Sequence, residues 1–249
     1  MGRCVTRGCA GELRPDPATI FSMSAREPVI RPAEEGDAAA VAEIYAPYVR
    51  DTAISFETES PTAAIMAQRI VRTLETHPWL VADSGGEVLG YAYAGKHRER
   101  AAYQWSVDVT IYVRNSTRRN GIGRALYLSL LEVLRRQGFR SAFAEIVLPN
   151  AGSVRLHEWA GFKAIGVHRD CGFKLGRWHD IGYWRLGLAD GSEPPNDPVP
   201  FAIFRGMPGR VHGSPPYRLG RLARSAAERQ GARDHERPEE RAHRPSLSD

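Results

Sequence analysis

Residues 109–126 run VTIYVRNSTRRNGIGRAL. A β-branched strand enters a basic turn with two glycines, and a long amphipathic stretch leaves it. Gly121 and Gly123 let the backbone turn tightly and come close to a ligand. The first N–H groups of a helix lack intrahelical partners, and the helix dipole favours an anion beside them. Arg118, Arg119 and Arg124 add positive charge at that point. Such a turn suits a pyrophosphate. Its spacing, R-x-x-G-x-G, is neither the dinucleotide fingerprint nor the P-loop. A bare Gly-x-Gly turn also serves as a plain strand-to-helix connection. The strand, the arginines and the long helix together favour the anion site.

The elements that must position this turn alternate between strand and helix periods. Val29–Arg31 starts a strand, and 34–49 carries Ala38, Val41, Ile44, Tyr45 and Tyr48 at helical spacing. Ser60 and Pro61 suit the N-cap and first position of a second helix, with Ile65, Ile70 and Leu74 as its apolar positions. Trp79–Ala82, Glu87–Tyr93, Trp105–Val113, Phe139–Leu148, Phe162–Val167 and Ile181–Leu188 read as strands, with a hairpin turn at Ser84–Gly86. Arg124–Gln137 is an amphipathic helix ended by Gly138, and Ser153–Trp159 is a short one. The mixture gives one α/β (α+β) domain over 28–190.

The chain has 249 residues and a formal net charge of +5. Residues 1–27 carry a net +1 and 201–249 a net +4, which leaves 28–200 neutral. Basic ends on a neutral centre argue against nucleic acid as a partner of the central domain. No apolar run approaches the roughly 20 residues of a membrane span. Cys4, Cys9 and Cys171 are too few for a disulfide scaffold, and no ligand spacing suggests a metal. Residues 191–249, rich in Pro, Gly and Arg, are expected to be a solvated tail, and 1–27 a disordered extension. Met23 stands just ahead of the patterned domain, so 1–22 would be an upstream extension.

The segment 118–123 after the strand Thr110–Val113 resembles the acetyl-CoA loop of the GNAT-type N-acetyltransferases. Tyr103–Val113, Leu148–Glu158, Gly161–Phe162 and Gly172–Trp184 resemble, in order, the phosphinothricin N-acetyltransferase branch of that family. The resemblance covers about 28–190 and implies a mixed central sheet with two splayed central strands, flanked by helices. It implies acetyl-CoA as co-substrate, with the pantetheine arm between strands 105–113 and 140–148. Backbone groups of Ile111, Tyr112 and Val113 would meet that arm and polarise the thioester. Arg118, Arg119, Asn120, Gly121, Ile122, Gly123 and Arg124 would hold the pyrophosphate, and Asn150 and Ser153 would touch the CoA arm.

Asp108 lies between Val107 and Val109, where a carboxylate has reason for a raised pKa and suits a general base. The resembled enzymes usually carry Glu there, one methylene longer, so a bridging water is expected. The resemblance also assigns His157 to the site, as a partner of Asp108 in a proton relay. His77, His97, His168 and His179 are expected to be ordinary surface or core histidines. Arg98, Arg100 and Tyr103 match the substrate region, and Phe56 matches a pocket aromatic. Arginine suits a carboxylate or phosphinate, while a charged hairpin end would look the same. Trp178, Tyr183 and Trp184 belong to the core, the pocket or a dimer face.

The expected protein is a cytoplasmic, homodimeric N-acetyltransferase acting on the α-amino group of a small amino acid or analogue, of phosphinothricin or methionine sulfoximine type. Its partner is a small-molecule amine, with no metal, nucleic acid or membrane. One alternative is an acetyltransferase of protein N-termini or lysines. Another is a nucleic-acid-binding protein that uses the Arg-rich tail and senses CoA.

Overall fold

The computed structural model describes residues 27–190, 195–207 and 217–218. Strands β1 (Val29–Pro32), β2 (Trp79–Ser84), β3 (Glu87–Lys96), β4 (Ser106–Val113), β5 (Ser141–Leu148), β6 (Lys163–Lys174), β7 (Arg177–Gly187) and β8 (Tyr217–Arg218) form one sheet. Its order is β6-β7-β5-β4-β3-β2-β1-β8. Every neighbouring pair is antiparallel except β4 and β5, which run parallel. The helices are α1 (Ala38–Asp51), α2 (Ala63–Thr76), α3 (Ile122–Gln137), α4 (Ala151–Trp159) and α5 (Phe201–Gly206).

Side chains alternate across a strand, and the two faces of the sheet carry separate cores. Val107 and Val109 of β4 join Leu126, Leu130 and Leu134 of α3 on one face. Val81 and Tyr91 join Val41 and Ile44 of α1 and Met66 and Ile70 of α2 on the other, where Tyr112 packs against them. Asp108 therefore shares the α1/α2 face with Tyr112.

The central pair carries the main departure from regularity. β4 and β5 pair only at Ser106–Asp108 and Ser141–Phe143. Beyond those residues β4 stays on β3 up to Val113, and β5 stays on β7 up to Leu148. The two strands fork at the pair Asp108–Phe143. Both following helices, α3 and α4, begin at the open end of this fork. The splayed central strands expected from the resemblance are thus present.

Three local expectations are corrected. The cap of α2 is Thr62, whose side chain accepts from the Ile65 N–H, so Ser60 and Pro61 lie outside the helix. Ile65 is exposed and Met66 takes the buried position instead. The segment 195–207 is also not a solvated tail. Phe201 and Phe204 are fully buried, the Gln137 side chain donates to the Val199 carbonyl at 2.8 Å, and the Trp105 indole donates to the Asn196 carbonyl at 2.9 Å. Two aromatics supply enough apolar area to hold a short segment in place. The proposed extension 1–22, and most of the tail, lie outside the described residues.

Candidate active site

The basic turn starts from β4. Asn115–Thr117 form one 3-10 turn, Arg119 has φ +70°, and Gly121 enters α3 with φ +79°. The left-handed backbone at 121 favours glycine. The Gly121 carbonyl accepts from Ala125, so the N–H groups of Ile122, Gly123 and Arg124 precede the helix's own ladder. No acidic residue occupies the first turn of α3. Arg118, Arg119, Asn120 and Arg124 are exposed around it. The Arg118 guanidinium lies over the Tyr48 ring at 5.3 Å, and that of Arg124 over the Trp159 ring at 4.7 Å. Ile122 is buried, so only its backbone faces the turn. Gly123 is also a packing position: a Cβ there would meet Leu156 Cδ2 at 3.3 Å and Ile111 and Val113 at 3.8 Å.

The register of β3 and β4 decides which backbone groups face the fork. Arg114 N donates to Leu89 O, so Gly90 and Val113 form a non-hydrogen-bonded pair. Tyr112 then bonds Tyr91 through both its N–H and C=O, while Ile111 and Val113 turn their groups toward β5. That part of β5 has left the ladder. Ile111 and Val113 therefore present backbone hydrogen-bonding groups to the opening, although the Val113 carbonyl already accepts from the Tyr48 hydroxyl at 2.6 Å. The expectation for Tyr112 is corrected. Its backbone is spent on β3, and its ring packs edge-on against Tyr45 and Tyr48 at 4.9 Å each.

At the mouth of α4, Asn150 Oδ1 accepts from Ser153 N at 3.1 Å, which makes Asn150 the cap of that helix. One turn on, His157 is buried. Its Nδ1 donates to the Ser153 carbonyl at 2.8 Å, and its Nε2 accepts from the Tyr127 hydroxyl at 2.5 Å. Burial pushes its pKa below the ordinary 6.5, partly opposed by the Ser153 carbonyl. Phe162 and Tyr127 lie edge-on to the ring at 5.3 and 5.0 Å. Both nitrogens of this neutral imidazole are engaged on the α3/α4 side. The relay between His157 and Asp108 is therefore corrected: the two residues belong to opposite faces of the sheet.

The histidine that meets Asp108 is His97, just past the end of β3. Its Nδ1 stands 2.6 Å from Asp108 Oδ1, and its ring stacks on Phe143 with centroids 4.2 Å apart and planes 13° from parallel. The Tyr103 ring stands edge-on at 6.0 Å. Burial raises the Asp108 carboxyl above its ordinary 3.8, the His97 bond and charge oppose that rise, and Glu145 adds to it. The strand register, not the sequence, points to His97: Gly95 faces Asp108 across β3 and β4, which puts a residue two positions on within side-chain reach.

Other groups share this face. Arg98 is exposed and folds back onto the His97 carbonyl at 2.8 Å. Its charge acts on both Asp108 and Tyr183. Arg100 is exposed with no ion pair among the described residues. Phe56 lies over Gly172, where even a Cβ would overlap its ring, and 6.2 Å from the His179 ring. The buried ammonium of Lys174 holds the Phe56 segment by donating to the carbonyls of Val49, Ser55 and Glu57 at 2.5, 2.7 and 2.7 Å. Of the three further aromatics, Trp184 is core, Tyr183 is partly exposed and Trp178 is exposed. A cavity of about 300 Å³ beneath α2 lies on the same face, lined by Tyr45, Trp79, Tyr93, Tyr112, Arg69 and Arg72. Among the described residues no three His, Cys, Asp or Glu side chains gather as a metal site, and no helix is long and apolar enough to cross a membrane.

This geometry agrees with what the chain is similar to. The phosphinothricin N-acetyltransferase of Streptomyces viridochromogenes is 45% identical over 161 residues, covering 64% of this chain and 88% of that one. The L-methionine sulfoximine/L-methionine sulfone acetyltransferase of Salmonella typhimurium is 34% identical over 166 residues, covering 66% and 97%. A phosphinothricin acetyltransferase from Sinorhizobium meliloti, solved with AcCoA, superposes with a TM-score of 0.66 at 34% identity, covering 70% and 95%. The family model for the acetyltransferase (GNAT) domain matches residues 30–182. The chain belongs to the GNAT acetyltransferase family.

Proposed function

We propose that this chain transfers the acetyl group of acetyl-CoA to the α-amino group of a small amino acid analogue, of phosphinothricin or methionine sulfoximine type. The observation that carries the reading is the fork of β4 and β5. At its open end stand the free N–H groups of α3 and the arginines 118, 119 and 124, which suit a pyrophosphate. At its closed end stands Asp108. Along the edge between them, Ile111 and Val113 offer backbone groups to an extended thioester arm. Donor and proton acceptor thus sit at the two ends of one groove. Asn150 and Ser153 open the second helix beside the same groove.

The reaction needs an unprotonated amine, a polarised carbonyl and a route out for the thiolate. Asp108 marks where the ammonium sheds its proton. Backbone N–H groups facing the fork stabilise the oxygen of the thioester as charge builds on it. Arg98 stands near Asp108 and Tyr103 against His97, where a carboxylate or phosphinate would dock beside the reacting amine; Arg100 follows on the same segment, and Phe56 lies farther along the same face. The names of the relatives support such an acceptor. We also read the chain as a homodimer. β6 is a terminal strand of the sheet, and its hairpin with β7 exposes Ile165, Val167, Phe173, Leu175 and Trp178.

The test is direct. Purified chain is incubated with acetyl-CoA and phosphinothricin or methionine sulfoximine, and products are read by mass spectrometry. The proposal expects a product heavier by one acetyl group on the α-nitrogen, with equimolar CoA. Unchanged amine with intact acetyl-CoA overturns it. Sedimentation at micromolar concentration tests the dimer, and a monomer there removes that part.

A further inference from the structure

The fork closes at Asp108 and Phe143, and one side chain touches both. His97 hydrogen-bonds the carboxylate of Asp108 and stacks on the ring of Phe143. Its imidazole therefore bridges the two strands where they part. Three contacts fix the ring: the carboxylate at one nitrogen, Phe143 on one face and Tyr103 at an edge. The side chain of His97 is only 14% exposed. An ionised carboxylate can only accept, so Nδ1 carries the proton in this pair and Nε2 holds the lone pair. Among the described residues Nε2 has no hydrogen-bond partner, unlike either nitrogen of His157.

We infer that His97 is the catalytic base of this chain, accepting the amine proton on Nε2, and that Asp108 is its positioning residue. The inference rests on the acetyl-transfer reading above. Asp108 has a short side chain, and one of its oxygens is already taken by the imidazole. An imidazole held against it extends the reach of the pair by the width of a ring. In the step, the substrate ammonium gives one proton to Nε2. The freed lone pair forms the C–N bond to the thioester carbonyl, and the C–S bond breaks with its electron pair on sulfur. The second proton of the nitrogen ends on that sulfur, and the imidazolium returns its proton to water. Asp108 stabilises the imidazolium while it lasts. The charged and titratable groups facing the pair are Arg98 and Tyr103 beside it, Glu145 from β5 and Tyr183 from β7.

The experiment compares wild type, His97→Phe, Asp108→Asn and the double variant His97→Phe/Asp108→Glu in a CoA-release assay from pH 5.5 to 9. Phenylalanine keeps the stacking on Phe143 and removes both nitrogens. Binding of acetyl-CoA by calorimetry is the folding control for each variant. We expect His97→Phe to lower kcat by roughly 10²–10⁴-fold with acetyl-CoA affinity kept. Wild type should lose kcat/KM toward acid pH, and that profile should change in the variant. Asp108→Asn should lower kcat as well, because an amide no longer fixes the proton on Nδ1. The longer carboxylate of the double variant should recover part of the rate. A His97→Phe rate within a few-fold of wild type, or an unchanged pH profile, overturns the inference while leaving the acetyl-transfer reading intact. A wild type that releases no CoA with any amine overturns that reading itself.

Discussion

His157 accepts a hydrogen bond from the Tyr127 hydroxyl at 2.5 Å, inside the core between α3 and α4. Tyr127 is fully buried and burial raises its pKa far above the ordinary value, so it serves as a neutral donor. The pair locks α4, and with it the Asn150 cap, onto α3. It joins the last turn of α4 to the N-terminal half of α3, the two helices that follow the forked strands.

The pair gives the fold an acid limit. The folded pKa of His157 lies below its ordinary 6.5 because burial opposes the charged form. As pH falls below about 6.5 the unfolded chain takes up a proton that the folded chain refuses. Stability should then drop, by at most about 1.4 kcal/mol per pH unit from this one group. Urea melts between pH 5 and 8 measure the slope. His157→Gln should flatten it, and an equal slope in that variant assigns the effect elsewhere.

Gly121 and Gly123 serve the same turn for different reasons. Gly121→Ala forces a side chain into a left-handed backbone, at a cost of about 1–2 kcal/mol. It should raise the KM for acetyl-CoA more than it lowers kcat. Gly123→Val presses on Leu156, Ile111 and Val113, so it should lose both donor affinity and thermal stability. Calorimetric titration and a melt on each variant separate the two effects. Wild-type donor affinity in both would remove the turn from the donor site.

Lys174 ties the Phe56 segment to the sheet through three carbonyls. Lys174→Met should cost about 1.5–3 kcal/mol, the range for a hydrogen bond to a charged group. It should also raise the KM for the amine while that for acetyl-CoA holds. Gly172→Ala should act the same way on the amine, because its Cβ displaces the Phe56 ring. Steady-state kinetics against each substrate in turn decides this, and a shift confined to acetyl-CoA would place Phe56 outside the acceptor site.

Phe201 and Phe204 are as buried as any residue of the main core. Phe204→Ala should therefore destabilise the protein by about 3–5 kcal/mol. Chemical denaturation checks it, and a loss under about 1 kcal/mol would mean that 195–207 only rests on the domain.

The legible parts of the sequence were those set by local pattern. The strand Thr110–Val113, the stripe Leu126, Leu130 and Leu134, and the glycine that ends α3 all follow from periods and caps within a few residues. The fork was not visible in composition or spacing and came only through family resemblance, because strand separation is a relation between distant segments. His97 is hidden from the sequence for the same reason: its partners lie 11 and 46 positions away, and an isolated histidine carries no periodic signal. His157 was placed correctly on its helix, yet which face it shows is a matter of packing. In 195–207 two aromatics three positions apart were too few for a pattern, but they were enough to bind the segment to the core.

The central claim concerns the acceptor. The direct measurement is kcat/KM for CoA release across phosphinothricin, methionine sulfoximine, ordinary amino acids, peptides with free N-termini and lysine-bearing peptides. The account expects the small anionic amino acid analogues to exceed every peptide by at least tenfold. A peptide N-terminus or a lysine side chain as the preferred acceptor would contradict it.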